Sequence, residues 1–205
     1  MEFDSANPSV VKSIRQRVLL NAWLRARRQP HALPSVDDFQ SDTTGDELPD
    51  MMSFNVEGEG DSVRFLITHE GTRLTAAYGN DHVDPAKRTN RYLDDAIGPE
   101  RYARVLPCYR TCLLQKRPAY SISTVLDADG KDVSYERLLL PFGRGDHVEQ
   151  IIGSYKAISI EGGFKIKDLM GVMPKAVPAI QIRAVIDRDF VPVNRRSADD
   201  VVELG

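Results

Sequence analysis

The sequence predicts an α+β protein: a five-stranded antiparallel sheet with helices on one face, preceded by an N-terminal amphipathic helix. Three observations carry this. Two strand-forming runs, residues 51–56 and 62–70, flank the loop Glu57-Gly58-Glu59-Gly60-Asp61, the pattern of a hairpin. After Pro99, the residues Tyr102, Val105, Leu106, Tyr109, Cys112 and Leu113 trace the apolar stripe of a long helix. Three more strand runs, 119–127, 134–141 and 148–160, are joined by short Gly-containing loops and read as a meander. Strands, then helices, then strands again is an α+β order.

The elements follow in chain order. Residues 10–28 read as the amphipathic helix, with Val11, Ile14, Val18 and Ala22 at helical spacing and Val10, Leu19, Leu20, Trp23 and Leu24 widening the face. Ser9 is placed to cap it and Pro30 to end it. So wide a face needs cover, either from its own domain or from a second copy. Val11, Ile14, Val18 and Trp23 are therefore the candidate dimerisation residues. Residues 29–49 are polar and Pro-rich and read as a linker. Alternation along the second strand puts Val63, Phe65, Ile67 and His69 on one face and Arg64, Leu66 and Thr68 on the other. Gly71 ends that strand, and Thr72 opens a short helix that closes near Tyr78-Gly79. Residues 80–90 form a loop, 91–97 a short segment, and the long helix over 99–116 stops at Pro118. Beyond Ile160 periodicity fades, and 180–186 is the one strand candidate in the tail. Three segments result: the helix over 1–28, a domain over 29–160 and an extension of unknown role over 161–205.

Bulk properties narrow the class. Apolar residues make up 41% of the 205 residues and charged residues 28%, as in ordinary globular proteins. A net charge of -3, with basic residues dispersed, points away from nucleic acid as a partner. The densest basic run, Arg25-Ala26-Arg27-Arg28, falls where cations complement a helix C-terminus. The first residues are acidic and lack a signal-peptide h-region, and no run is long enough for a membrane span. Two cysteines do not make a disulfide framework, so the reading is a cytoplasmic protein.

Several segments bear a family likeness. Residues 64–74, Arg64-Phe65-Leu66-Ile67-Thr68-His69-Glu70-Gly71-Thr72-Arg73-Leu74, resemble the strand-to-helix segment of a bacterial PAS family found mainly in alphaproteobacteria. Tyr78-Gly79-Asn80-Asp81 and Asn90-Arg91-Tyr92-Leu93-Asp94-Asp95 resemble that family's next segment, split here by an insertion over 82–89. Arg117-Pro118-Ala119-Tyr120 is similar to its helix-to-strand junction. Glu136-Arg137-Leu138-Leu139-Leu140-Pro141 and Ile151-Ile152-Gly153 are similar to its last two strands. The resemblance covers roughly residues 10–160. It implies a PAS-like sheet and a stand-alone sensory or docking regulator that signals through a partner protein, with no enzymatic domain attached.

No catalytic centre is legible. Ser-His-Asp, HExxH, Walker and dinucleotide words are absent, as are kinase, cyclase and helix-turn-helix words. Cys112 sits on the stripe of the long helix and Cys108 beside it, and both read as buried core thiols. The cysteine word of flavin photoreceptors is missing, and the long helix has no histidine for haem, so neither cofactor is indicated. His69 and His82 are the histidines nearest the inner face, and His69 reads as a hydrogen-bonded core residue. Asp127, Asp129, Asp132 and Glu136 lack calcium-loop spacing and read as turn chemistry, so no metal is indicated. Arg137 and Arg64 are strand arginines able to hold a carboxylate.

The ligand-facing candidates are Phe65, Ile67, His69, Tyr92, Tyr120 and Arg137. The leading reading is a homodimeric PAS-type sensor that binds a small molecule, a partner protein or both, and transmits by contact. Two rivals stand beside it: a non-sensing scaffold with a filled core, and an enzyme of unrecognised type. An apolar cavity of a few hundred Å3 would favour sensing, and a core closed by side chains would favour the scaffold.

Overall fold

The computed structural model describes residues 2–27, 32–39, 44–80, 84–159, 162–167, 169 and 179–191. Among these residues the eight strands are β1 (Asp4–Ala6), β2 (Met51–Glu57), β3 (Arg64–Glu70), β4 (Arg91–Tyr92), β5 (Ala119–Leu126), β6 (Asp132–Arg144), β7 (His147–Ile158) and β8 (Ala179–Ile186). Its five α-helices among these residues are α1 (Ile14–Ala26), α2 (Thr44–Glu47), α3 (Thr72–Ala77), α4 (Leu93–Ile97) and α5 (Pro99–Gln115). His82 and the tail prolines Pro174, Pro178 and Pro192 lie outside the described residues.

The predicted five-stranded antiparallel sheet is corrected. All eight strands form one mixed sheet in the order β1-β8-β5-β6-β7-β2-β3-β4. The five expected strands are neighbours within it and pair antiparallel. Three strands extend the two edges. β8 pairs antiparallel with β5, β1 pairs parallel with β8, and the two-residue β4 pairs with β3. The first and last strands of the described residues therefore enter the same sheet and cover an edge that would otherwise expose unpaired backbone groups.

Helices on one face is corrected as well, because both faces carry helices. Residues paired across strands share a face. The row Arg183–Ser121–Arg137–Tyr155 crosses β8, β5, β6 and β7 on the side of α5, here called the inner face. On that face Tyr109 of α5 meets the rings of Phe54 and Phe65 at 5.3 and 5.0 Å, and shares a 2.6 Å hydrogen bond with the Tyr155 hydroxyl. These side chains close the centre of the inner face. Offset and edge-on ring contacts of this kind add to the stabilisation from burial alone.

The outer face belongs to α1. Its start is later than predicted because Pro8–Val10 form a 3-10 turn capped by Asn7, after which the chain runs extended to Ser13. Ser13 then caps α1. Leu19, Leu20, Ala22 and Trp23 are buried, and the Trp23 indole donates to the Pro141 carbonyl at 2.7 Å. A buried polar network locks the helix start. Glu136 accepts from the Ser13 N–H at 3.1 Å and from the Tyr120 hydroxyl at 2.8 Å, and Tyr120 accepts from the Lys12 N–H at 3.0 Å. A carboxylate at a helix N-terminus also complements its dipole. Gln16 donates to the Ser154 carbonyl at 2.9 Å, so α1 and the residues that lead into it are stitched to three strands of their own sheet.

The segment predicted as a linker is partly built into the fold. Leu33 N–H donates to Gly145 and Gly143 N–H to Pro34, laying residues 32–39 along the β6–β7 hairpin, with Phe39 edge-on to Phe142. Gly143 is required there: a Cβ would stand 1.9 Å from the His147 carbonyl oxygen, at the bulge where the β6–β7 register shifts. Downstream, α2 and the turn after it bring two acids beneath α1. Lys156 of β7 lies 2.6 Å from Glu47 and 2.5 Å from Asp50, with Arg15 and Arg73 pairing the same two acids from the rim.

Candidate functional site

Three of the six predicted ligand-facing residues lie on the inner face, and three do not. Phe65 and Ile67 are fully buried in the apolar centre. Arg137 lies further along the same face, its guanidinium 5.8 Å from the Tyr155 ring. His69 is displaced by a bulge. The β2–β3 register slips between Ser53 and Phe54, leaving Thr68 unpaired and setting His69 opposite Ser53. Its ring nitrogen lies 3.2 Å from the Leu48 carbonyl oxygen, while buried Glu70 takes the inner position and pairs with Arg91 at 2.8 Å. Strict alternation cannot foresee one extra residue. Tyr92 pairs with Leu66 and so faces outward, donating to Glu57 at 2.7 Å beneath the Arg64 guanidinium. Tyr120 lies on the α1 face, hydrogen-bonded to Glu136, and burial pushes its phenol well above the ordinary range.

The predicted dimerisation residues also divide. Val11 and Trp23 are buried within their own chain, Val18 is half-buried, and Ile14 is 72% exposed. The cover demanded by the helix's apolar face is supplied mainly in cis by β6 and β7.

Around Arg137 the sequence-distant elements converge on a polar cleft. Its floor is Ser121 and Ser123 of β5, Arg137 of β6 and Arg183 of β8. Arg104 and Cys108, one helical turn apart on α5, form the roof, and Phe3 and Ile180 close the sides. The Arg183 guanidinium lies 5.7 Å from the Phe3 ring. Free volume in the cleft is about 30 Å3, room for two or so water-sized groups. Arg137 is only 9% exposed, and its Nε finds no hydrogen-bond partner; neither does the buried Nη1 of Arg183. Arg104 donates to its own helix, to the Glu100 carbonyl at 3.2 Å. Among the described residues no carboxylate pairs with any of these three arginines. Arg64, the other strand arginine singled out from sequence, contrasts sharply. It pairs with Asp94 and Asp95 at 2.8 and 2.9 Å.

Sequence reasoning named Arg137 but missed its companions. The available signal was the strand candidate 180–186: pairing it with β5 sets Arg183 opposite Ser121, and hence in line with Arg137.

The remaining candidates have structural roles. Asp127 accepts from the N–H groups of Asp129 and Lys131, both 2.9 Å, and of Lys165, 3.1 Å. Those bonds hold its carboxyl below the usual range and fasten the segment at Lys165 to the β5–β6 turn. No group of three His, Cys, Asp or Glu side chains poised for a metal occurs among the described residues. Cys108 and Cys112 are free and buried, and burial pushes both thiols up. Native protein should accordingly release no fast equivalent with a disulfide thiol reagent at neutral pH, and both thiols should react in denaturant. A rapid native reaction would place a cysteine at the surface.

No helix among the described residues is long and apolar enough to cross a membrane. The chain matches no family model and no curated protein.

Proposed function

We propose that the protein is a non-catalytic sensory module of the PAS-type class its sequence words resemble, residing in the cytoplasm, and that it takes up a small molecule in the arginine cleft and signals to a partner protein by contact. One observation carries the small-molecule reading: Arg137 is nine-tenths buried with a donor left unpaired. Unpaired buried polar groups are rare, and a buried charge without a partner is costly. Such a group is retained where something outside the chain completes it. Free buried thiols support a reducing compartment.

Native mass spectrometry of the full chain, after incubation with a deproteinised cell extract, tests this. The expected result is a non-covalent small-molecule adduct that is absent from Arg137→Gln. The bare mass alone at every extract concentration would overturn it. The scaffold reading then takes over, and a specific feature favours it: Phe54, Phe65, Tyr109 and Tyr155 already fill the centre of the inner face.

A further inference from the structure

We infer that the cleft is an oxyanion site, built to take a carboxylate or phosphate group between Arg137 of β6, Arg183 of β8 and Arg104 of α5. The inference rests on the small-molecule reading above and names its ligand class.

Charge is the first argument. Three guanidiniums line one small cleft, no carboxylate pairs with them among the described residues, and arginine does not shed its proton to relieve the repulsion. Cys108 cannot serve as the counter-ion, because burial holds it as the neutral thiol. Donor geometry is the second. Arg137 Nε and Arg183 Nη1 are buried donors without acceptors, and both belong to the row that shares Ser121 between them. The hydroxyls of Ser121 and Ser123 add two further donors on the floor. The row is therefore rich in donors. A guanidinium fork matches the paired oxygens of carboxylate or phosphate, and such charged hydrogen bonds are about twice as strong as neutral ones. Size is the third. A free volume of about 30 Å3 takes the paired oxygens of an anionic head group rather than a whole cofactor. The rest of a larger ligand would stand at the mouth, beside Phe3 and Ile180.

Position gives the site a consequence. Arg137 and Arg104 belong to the centre of the fold, whereas Arg183 belongs to β8, which with β1 extends the sheet edge. An anion held by all three ties that edge to the core. Occupancy thus acts directly on β8 and, through its pairing, on β1.

The test is calorimetric titration of the full chain with sodium phosphate, sodium malonate and sodium acetate, at ionic strength held constant with sodium chloride. Phosphate against malonate separates the phosphate source from the carboxylate source, and acetate reports whether a single negative charge suffices. Saturable binding of phosphate or malonate is expected, with Kd raised roughly 10- to 100-fold in both Arg137→Gln and Arg183→Gln. Arg64→Gln, outside the cleft, should bind as the parent does. Arg183 is only half-buried on β8, so its variant keeps the test decisive even if Arg137→Gln fails to fold. Absence of saturable binding by all three salts would overturn the inference, as would unchanged affinity in Arg183→Gln. If the salts fail while the extract still yields an Arg137-dependent adduct, the oxyanion class falls and the small-molecule reading stands. If both fail, both fall.

Discussion

Trp23→Ala should destabilise the protein by about 3–5 kcal/mol, lowering Tm by roughly 10 °C or more for a chain of this size. Trp23 is fully buried between α1 and the outer face of the sheet. Truncation would leave a large cavity and remove the indole N–H that the Pro141 carbonyl accepts at 2.7 Å. Cavity and lost hydrogen bond act in the same direction, and neither is relieved by relaxation of so central a strand as β6. Trp23→Phe keeps most of the volume and should cost less. Urea denaturation of the two variants measures both. A loss below about 1 kcal/mol for Trp23→Ala would mean that α1 does not dock on its own sheet. The same geometry reframes the dimer expected from sequence. With Val11 and Trp23 covered in cis, a second copy would meet Ile14 instead, so Ile14→Glu should leave stability intact while testing self-association by sedimentation.

The second large effect lies at Lys156. Its ammonium sits between Glu47, whose side chain is fully buried, and Asp50, which is 9% exposed. Lys156→Met removes the shared cation and leaves two acids facing each other. Breaking a buried pair from one side typically costs about 3–5 kcal/mol. Arg15 and Arg73 hold the outer oxygens but are themselves largely exposed, so solvent screens much of what they could restore. The cost should fall sharply when Glu47→Gln and Asp50→Asn are added, because the uncompensated charges go with them. Denaturation midpoints of the single and triple variants check this. Equal losses in both would show that Lys156 acts through packing of its stem rather than its charge.

Much of the fold was legible in the sequence. The runs later seen as β2, β3, β5, β6, β7 and β8 announce themselves through β-branched content and Gly-containing turns, and α5 through its apolar stripe. β1 and β4 did not, since strands of three and two residues carry no period to read. Nor does an amphipathic helix say which surface covers it. The face of α1 is equally suited to its own sheet or to another copy, and only the sheet's outer row of Glu136, Leu138 and Leu140 decides the matter. His69 illustrates a different limit: one bulge residue, Thr68, moves it to the opposite side of the sheet from Phe65 and Ile67.

The candidate site was legible only in part, for a topological reason. Arg137 stood out as a charged residue within an apolar strand. Arg104 and Arg183 carry no local mark that sets them apart from surface cations, and only α5 and β8 bring them to the same cleft. Their meaning depends on β8, a strand contributed by the tail, whose pairing with β5 no local pattern specifies.

The most direct measurement is the Arg137 Nε–H signal in a proton–nitrogen correlation spectrum, followed while phosphate or malonate is added at constant ionic strength. An anion that completes the cleft should shift this resonance saturably and farther than that of Arg64, which is already paired with Asp94 and Asp95. An Arg137 signal that stays still throughout, or moves only in step with the surface arginines, would contradict a binding role for the buried arginine.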